Sequence, residues 1–555
     1  MLHRSAGVIR ARILLVFAFL GLTWVGEIEE SLAAADTAVD VINMNCGGCH
    51  AYNEDANQWF RISQIRKTPE GWAMTIDRML VWHGVQVNED DRRTIIKYLA
   101  DNQGLAPLEA EPYRSLLEQR HNTPRHIENG DVGAQCAGCH SYGRVALQRR
   151  DAEEWRRLVH THVGQFPSAE ARFISFESDK FKEFSRSLGW FEIADKYTAE
   201  LLGELYPLHA KAWADWRSTP KDDLSGLWGA RGYWPGRGPY FGTVKITAAS
   251  EGKDHYDKNY SYEFASGETW SGVGVATVYT GYEWRGVSDL EGARLLETLT
   301  YSRVNQDLQG RVFLADANEL GADYRARKLE PARAQLFGAA PEFVVAGEKS
   351  RVSLYGYKLK STNNKIDFGP GVEILNVQYL SDDKIILEVL AAPGAPVGQR
   401  DVRLGSKSTD VTLSIVKKVD AIRVAPANAL ARVGGGGGQM APVGVQFEAV
   451  AYENGPDGKP ETKDDLRLGA VPVRWSIEPW DEAAGIDEDD KFAGVIGDDG
   501  LFRPAAAGPN PRRKNNKNNY GNLKIIATYK GGDAPIEASA HLVVGPQKFV
   551  NSIID

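Results

Sequence analysis

Residues 46–50 read Cys46-Gly-Gly-Cys49-His50, and residues 136–140 read Cys136-Ala-Gly-Cys139-His140. A Cys-x-x-Cys-His run is the attachment pattern of a c-type haem, in which both thiols bond to the macrocycle and the adjacent histidine binds the iron. The two motifs use all four cysteines of the chain. A four-thiolate zinc site would leave both histidines unexplained, and a redox dithiol would need only one pair. The sequence therefore predicts two covalently bound c-type haems, with His50 and His140 as the proximal iron ligands.

The length and net charge of the chain bear on its number of domains and on its possible partners. The chain has 555 residues, so several domains are expected. Lys and Arg number 65 against 74 Asp and Glu, which gives a net charge of -9. An acidic balance of this kind gives no indication of nucleic-acid binding.

The first 35 residues are typical of a secretory signal peptide. Three arginines precede an apolar stretch at residues 13–25, and Ala33-Ala34-Ala35 follows it. The alternative is an uncleaved anchor, but the apolar stretch is short for a membrane span. We therefore expect cleavage near Ala35 and a periplasmic protein with no stable membrane insertion. Haems are attached to such motifs on that side of the membrane, so the two signals agree.

The region around the motifs is an internal duplication. The stretch from Arg61 to Trp72 matches the stretch from Arg144 to Trp155, and eleven positions separate the arginine from the tryptophan in each copy. The first copy carries seven extra residues just after Tyr52. Thr68 and Asp151 are predicted N-caps of the helix that contains each tryptophan, because acidic residues follow them in the first turn.

The repeat also predicts the second iron ligands. On a helix, the residue seven positions after each tryptophan shares its face, which selects Met79 and His162. Both side chains are known haem ligands, and a His/Met haem has a higher potential than a bis-His haem. The competing residues are His83, one turn beyond Met79; Met74 and His160, off the tryptophan face; and His121 and His126, between the two copies.

Arg61 and Arg144 recur beside the two motifs. A guanidinium pairs well with a carboxylate, so both are candidate partners of haem propionates. The alternative is that they are two solvated arginines.

The succession of helical segments and then alternating segments along the chain predicts a multidomain α plus β protein. An α-helical dihaem cytochrome c domain is expected first, and β domains follow it, because short alternating segments separated by turn residues begin after Pro220. Regularly spaced strands suggest immunoglobulin-like sandwiches, although no cysteine pair supports true immunoglobulin domains. The expected ranges are 36–215 for the dihaem domain (lobes at about 36–118 and 119–215), 220–330 for a β-barrel-like domain, and 331–418 and 419–555 for two immunoglobulin-like domains.

This order of domains resembles the alpha subunit of quinohemoprotein amine dehydrogenases. The resemblance rests on the two motifs, the arginine-to-tryptophan repeat, and the sequence Leu-Trp-Gly-Ala-Arg-Gly-Tyr-Trp at residues 227–234. It implies a periplasmic αβγ heterotrimer with a β-propeller subunit and a small subunit carrying cysteine tryptophylquinone. That quinone oxidises primary amines to aldehyde and ammonia. Electrons would pass through the alpha-subunit haems to a blue copper protein or a cytochrome c.

Two other functions remain open on the sequence. One is a free-standing periplasmic dihaem cytochrome c with β docking domains, and the other is a dihaem peroxidase. The β region contains no Gly-x-Ser-x-Gly elbow, no His-Glu-x-x-His and no dinucleotide fingerprint. Because the haem motifs use every cysteine, a cysteine-linked quinone would have to lie on another chain. We therefore expect no catalytic residue on this one.

Overall fold

The computed structural model describes most of the chain. The described residues are 37–111, 113, 133, 135–137, 140–174, 189–250, 252–290, 292–361, 366–405, 407–435, 441–531 and 534–547. The predicted signal peptide (residues 1–35), Cys139, His121 and His126 lie outside them. The chain divides into two compact units, which we call the N-terminal and C-terminal units, with a boundary between Thr219 and Pro220.

The N-terminal unit contains the helices expected beside each motif. The helices are α1 (residues 37–46), α2 (Pro69–His83), α3 (Glu89–Asn102), α4 (Pro107–Ala110), α5 (Gly143–Ala146), α6 (Ala152–Gln165), α7 (Pro167–Ile174), α8 (Trp190–Glu192), α9 (Ala199–Leu205) and α10 (Lys211–Arg217), with a π-helical turn at Ile193–Thr198. Both predicted N-caps are confirmed. The Thr68 hydroxyl accepts a hydrogen bond from the Gly71 amide, and the Asp151 carboxylate accepts one from the Glu154 amide.

Four short strands organise the duplicated region. They are β1 (Tyr52–Asn53), β2 (Gln58–Trp59), β3 (Ile65–Lys67) and β4 (Gln148–Arg150). The extra residues of the first copy form the β1–β2 hairpin. Strand β3 of the first copy pairs antiparallel with β4 of the second. The two copies are therefore joined through equivalent segments of the repeat.

The C-terminal unit begins with a closed barrel of eight strands, each antiparallel to its neighbours. The barrel strands are β5 (Gly226–Trp234), β6 (Gly238–Ala248), β7 (His255–Phe264), β8 (Thr269–Tyr279), β9 (Glu283–Leu290), β10 (Ala293–Ser302), β11 (Asp307–Leu314) and β12 (Ala317–Lys328). This confirms the predicted barrel. Tyr240, Tyr262, Phe264 and Trp270 are buried and in mutual ring contact, so these aromatic residues form core rather than a ligand cage.

Two sheets with a common core follow the barrel. Their strands are β13 (Gln335–Ala340), β14 (Phe343–Val345), β15 (Lys349–Tyr357), β16 (Ile366–Asp367), β17 (Val372–Tyr379), β18 (Lys384–Ala391), β19 (Gly398–Leu404) and β20 (Lys407–Val416). One sheet has the order β13-β15-β18-β17 and the other β14-β20-β19-β16. Val352 and Leu387 of the first sheet and Leu413 of the second belong to one buried cluster.

The last region has three sheets, ordered β21-β24-β25, β22-β30-β29-β26 and β23-β28-β27. Its elements are β21 (Ala421–Ala425), β22 (Asn428–Arg432), β23 (Val445–Gln446), β24 (Glu448–Glu453), β25 (Leu466–Ala470), β26 (Arg474–Pro479), α11 (Glu482–Ile486), α12 (Asp489–Phe492), β27 (Gly494–Ile496), β28 (Leu501–Pro504), β29 (Gly521–Tyr529) and β30 (Ile536–Gly545). The immunoglobulin-like assignment of this region and of the preceding one stays a prediction.

Candidate haem sites

The first motif follows directly from helix α1. The amide of Gly47 donates to the Asn43 carbonyl at 2.9 Å, and the amide of His50 donates to the Cys46 carbonyl at 2.9 Å. A Cβ atom on Gly47 would lie 2.4 Å from the Asn43 carbonyl oxygen, so only glycine fits this turn. Burial and the neighbouring Cys49 thiol raise the pKa of the half-buried Cys46. The turn thus brings both thiols and the histidine to one place.

The orientation of His50 depends on the extra hairpin of the first copy. Its Nδ1 lies 2.9 Å from the carbonyl oxygen of Phe60, just after β2. A carbonyl oxygen can only accept, so Nδ1 carries the proton and Nε2 carries the lone pair. Histidine ligands in metal sites are fixed in this way by a hydrogen bond from the other ring nitrogen. The hairpin therefore sets His50 in the tautomer that an iron requires.

The second motif uses a different acceptor, because it lacks the hairpin. The Nδ1 of His140 donates to the Ser141 carbonyl at 2.9 Å, and the Nδ1 of His162 donates to the Leu158 carbonyl at 2.9 Å. Both imidazoles thus have their lone pair on Nε2. Cys136 is half-buried beside them, while Cys139 lies outside the described residues.

The His140 and His162 rings lie at a separation that suits one metal between them. Their centroids are 6.4 Å apart. Two imidazoles that bind opposite sides of one metal at about 2 Å would have their centroids about 6 Å apart. The donor set and its spacing therefore fit a bis-histidine haem, although the ligation itself stays a prediction.

The surroundings of His162 keep its imidazole neutral. Burial lowers its pKa, the positive charges of Arg78 and Arg150 lower it further, and the hydrogen bond to Leu158 opposes them. Only a neutral imidazole has the lone pair that binds a metal. His160 lies on the same helix but is exposed, with its Nε2 2.7 Å from Asp195. The structure thus brings His162 to His140 and engages His160 elsewhere.

The first site has two candidate distal ligands on helix α2, Met79 and His83. Trp72 and Ile76 are buried, and Met79 is half-buried in the last turn of the same helix. His83 is the last residue of α2 and is exposed, and Gly84 ends the helix in the left-handed conformation with φ 67°. Met79 therefore remains the predicted ligand, with His83 as its competitor.

The sequence matches family models along nearly its whole length. Four family models match: the haem-binding domain of quinohemoprotein amine dehydrogenase A, alpha subunit (residues 36–213), and alpha subunit domains II (221–329), III (333–417) and IV (422–554). The chain belongs to the quinohemoprotein amine dehydrogenase alpha subunits. This family membership makes it a subunit of an oxidoreductase with a haem-binding domain, and implies other subunits.

Comparisons with other proteins add no functional information about this alpha subunit. A search of curated proteins finds no match. Among solved structures, a de novo designed fluorescence-activating β-barrel is 22% identical, with 19% of this chain and 94% of that chain covered and a TM-score of 0.17. The mouse clustered PcdhgC3 EC1-3 structure is 12% identical, with 43% and 76% covered and a TM-score of 0.16. Within the described ranges of the alpha subunit, every helix is too short or too polar to cross a bilayer.

The two arginines predicted to meet propionates have protein contacts in the alpha subunit. The Arg61 guanidinium donates to both carboxylate oxygens of Glu154, at 2.8 and 3.1 Å. Arg144 lies on α5, and its backbone carbonyl accepts from the Gln148 amide at 2.6 Å. Their contact with propionates stays a prediction.

A second pair of repeat-equivalent cations was missed by the sequence analysis. Lys67 lies 5.7 Å from the centroid of the Trp72 ring, and Arg150 lies 5.7 Å from that of Trp155. Both side chains are buried. The signal was present in the sequence, because each is the residue directly before the N-cap of its helix.

Proposed function

We propose that this alpha subunit is the dihaem electron-transfer subunit of a periplasmic quinohemoprotein amine dehydrogenase. The observation that carries the proposal is the pair of neighbouring imidazoles, His140 and His162, whose ring centroids lie 6.4 Å apart next to the second Cys-x-x-Cys-His motif. Family membership supports the amine dehydrogenase assignment.

Each haem would be held by one motif and one helix. Cys46 and Cys49 would bind the first haem covalently, with His50 and Met79 on its iron. Cys136 and Cys139 would bind the second, with His140 and His162 on its iron. Bound haems supply one-electron carriers, and the oxidation of a primary amine to an aldehyde and ammonia releases two electrons, one for each.

Residues of this chain orient the predicted iron ligands at both sites and lower their exposure to water. The Phe60, Ser141 and Leu158 carbonyls fix the protons of the ligand histidines on Nδ1. The buried rings of Trp72 and Trp155 lie on the same helix face as Met79 and His162 and would limit the access of water to each haem. Low exposure of this kind helps to tune the potential of a haem.

The quinone chemistry would take place on a partner chain. All four cysteines belong to the haem motifs, so none is available for a cysteine-linked quinone. We propose that a small subunit carries cysteine tryptophylquinone, that a β-propeller subunit completes an αβγ heterotrimer, and that a blue copper protein or cytochrome c accepts the electrons. The β domains, including two of immunoglobulin-like architecture, would provide the docking surfaces. Removal of residues 1–35 would release the protein into the periplasm.

The test is purification of the native protein from periplasm through a tag at Asp555. The separated chains would be stained for haem and for redox-cycling quinone, and the complex would be mixed with primary amines. We expect one haem-positive band of this chain's size, a small quinone-positive companion, and reduction of the haems by amine. A lone haem-positive chain that amines do not reduce would instead favour the free-standing dihaem carrier.

A further inference from the structure

Two buried cations, Lys67 and Arg150, and the half-buried Arg78 lie near the predicted bis-histidine site. Among the described residues, the carboxylate beside them, Glu154, does not balance their charge. We propose that Lys67, Arg78 and Arg150 bind the propionate carboxylates of the haem held by His140 and His162. This inference rests on the proposed function, because it requires a haem at that site.

Two of the three cations are buried, and the third has a buried nitrogen. Lys67 and Arg150 are each only 4% exposed. The Nε atom of Arg78 is buried and has no hydrogen-bond partner among the described residues. A buried charge without a counter-ion is costly, so buried charges in native proteins are paired with an opposite charge or a ligand.

The carboxylate that lies beside these cations is engaged by other arginines. Glu154 is the buried carboxylate of this cluster, and it is 1% exposed. Its oxygens accept hydrogen bonds from Arg61 at 2.8 and 3.1 Å and from Arg157 at 2.6 Å. Arg150 comes no closer than 3.7 Å to it, which is beyond hydrogen-bond distance. Glu154 is therefore already occupied by two other guanidinium groups.

Among the described residues, the hydrogen-bond and ring partners of these three cations are neutral, and the approach of Arg150 to Glu154 at 3.7 Å is the one contact with a carboxylate. The Lys67 ammonium donates to the Thr75 hydroxyl, and the Arg150 Nε donates to the Gln148 side-chain oxygen at 3.0 Å. Arg78 lies over the Trp82 ring, 5.5 Å from its centroid. Among the described residues, the cluster thus has an excess of positive charge that suits the two carboxylates of one haem.

The three cations lie close to the predicted ligands of the second haem. Strand register places Lys67 opposite Gln148, two residues before Arg150. Arg150 lies over the ring of Trp155, 5.7 Å from its centroid, on the helix that carries His162. Trp82, under Arg78, contacts Phe166, whose ring centroid lies 5.6 Å from that of His162. The cluster therefore borders the predicted second haem.

The test is the reduction potential of each haem in the full-length holoprotein. Arg78→Gln removes one positive charge, and the extra electron of a reduced haem is then less well stabilised. We expect the lower-potential haem to fall in potential by about 59 mV, a tenfold change in its redox equilibrium. The propionate-bending bands of its resonance Raman spectrum should shift as well. Arg78→Lys, which keeps the charge, should restore most of the potential.

The matched control is Arg92→Gln. Arg92 is also half-buried, but it pairs with Asp77 at 2.8 Å, next to Arg78 in sequence. This control should leave both potentials unchanged. If Arg78→Gln does not fold, Lys67→Met removes a charge from the same cluster and should give the same shift.

The possible results distinguish a failure of the propionate assignment from a failure of the proposed function. Unchanged potentials and Raman bands in Arg78→Gln and Lys67→Met, with two covalent haems in each, would overturn the propionate assignment alone. A shift confined to the higher-potential haem would also overturn it. A wild-type protein without two covalent haems, measured by pyridine haemochrome, would overturn the proposed function itself.

Discussion

Arg66 and Arg149 lie directly opposite each other where β3 pairs with β4, and both donate to the carboxylate of Glu109, at 2.8 and 3.1 Å. They are equivalent positions of the two copies of the repeat. Antiparallel pairing of equivalent segments makes this contact self-complementary, like the interface of a two-fold dimer. The carboxylate of Glu109 therefore reinforces the strand pairing that joins the two copies.

Loss of the Glu109 charge should destabilise the N-terminal unit. Glu109→Gln leaves two buried guanidinium groups without a counter-ion, and breaking a buried ion pair in this way costs about 3–5 kcal/mol. The measurement is urea unfolding followed by haem absorbance. Glu153→Gln is the control, because Glu153 is 51% exposed and its pair with Arg156 should contribute less than about 1 kcal/mol. Equal losses in the two variants would contradict the prediction.

The same carboxylate should make this stability depend on pH. Burial alone would raise the pKa of Glu109, but hydrogen bonds and positive charge from Arg66 and Arg149 outweigh it and lower the pKa. A group with a lowered pKa in the folded state stabilises above its unfolded pKa of about 4.3 and loses that contribution as pH falls through the folded value. The difference between wild type and Glu109→Gln should thus shrink in acid. A constant difference from neutral pH down to strong acid would argue against it.

The iron ligands of the second site can be distinguished within one helix. His162→Ala should convert one haem from low-spin to high-spin in the visible spectrum, because it removes the imidazole whose centroid lies 6.4 Å from that of His140. His160→Ala should leave the spectrum unchanged, since that ring binds Asp195. If only His160→Ala changes the spin state, His160 and not His162 is the iron ligand.

The distal ligand of the first site has its own test. Met79→Leu keeps the volume but removes the thioether, so the higher-potential haem should fall in potential. His83→Ala, at the exposed end of α2, should leave it unchanged. Spectroelectrochemical titration of both variants measures this. If only His83→Ala moves the potential, His83 is the ligand.

Replacing one partner of a buried ion pair in the barrel should destabilise the protein more than replacing both partners. Lys258 contacts Glu297, and burial lowers the pKa of Lys258 to about 7. Glu297→Gln breaks the pair and should cost about 3–5 kcal/mol, whereas Lys258→Met with Glu297→Leu should cost far less. Trp284 donates to Glu297 at 2.9 Å, so its fluorescence can follow the unfolding. A double variant as unstable as the single one would refute the prediction.

The sequence alone determined which residues could bind haem and where the helices beside them begin. A Cys-x-x-Cys-His run needs only local spacing, and the N-caps Thr68 and Asp151 act within one turn. The repeat selected His162 over His160 for the same reason, because helical periodicity is local. These features depend on residues that are close in sequence.

Only the tertiary structure decided the partners of the charged residues and the course of the first barrel strand. The sequence could not connect Arg61 with Glu154, which is 93 residues away. Nor did it assign β5 as a strand, because its glycines lack the alternating pattern. A Cβ atom on Gly232 would lie 2.1 Å from the Asp323 carbonyl oxygen of the neighbouring strand, so close packing requires glycine there. Such contacts join distant parts of the chain, and no local pattern encodes them.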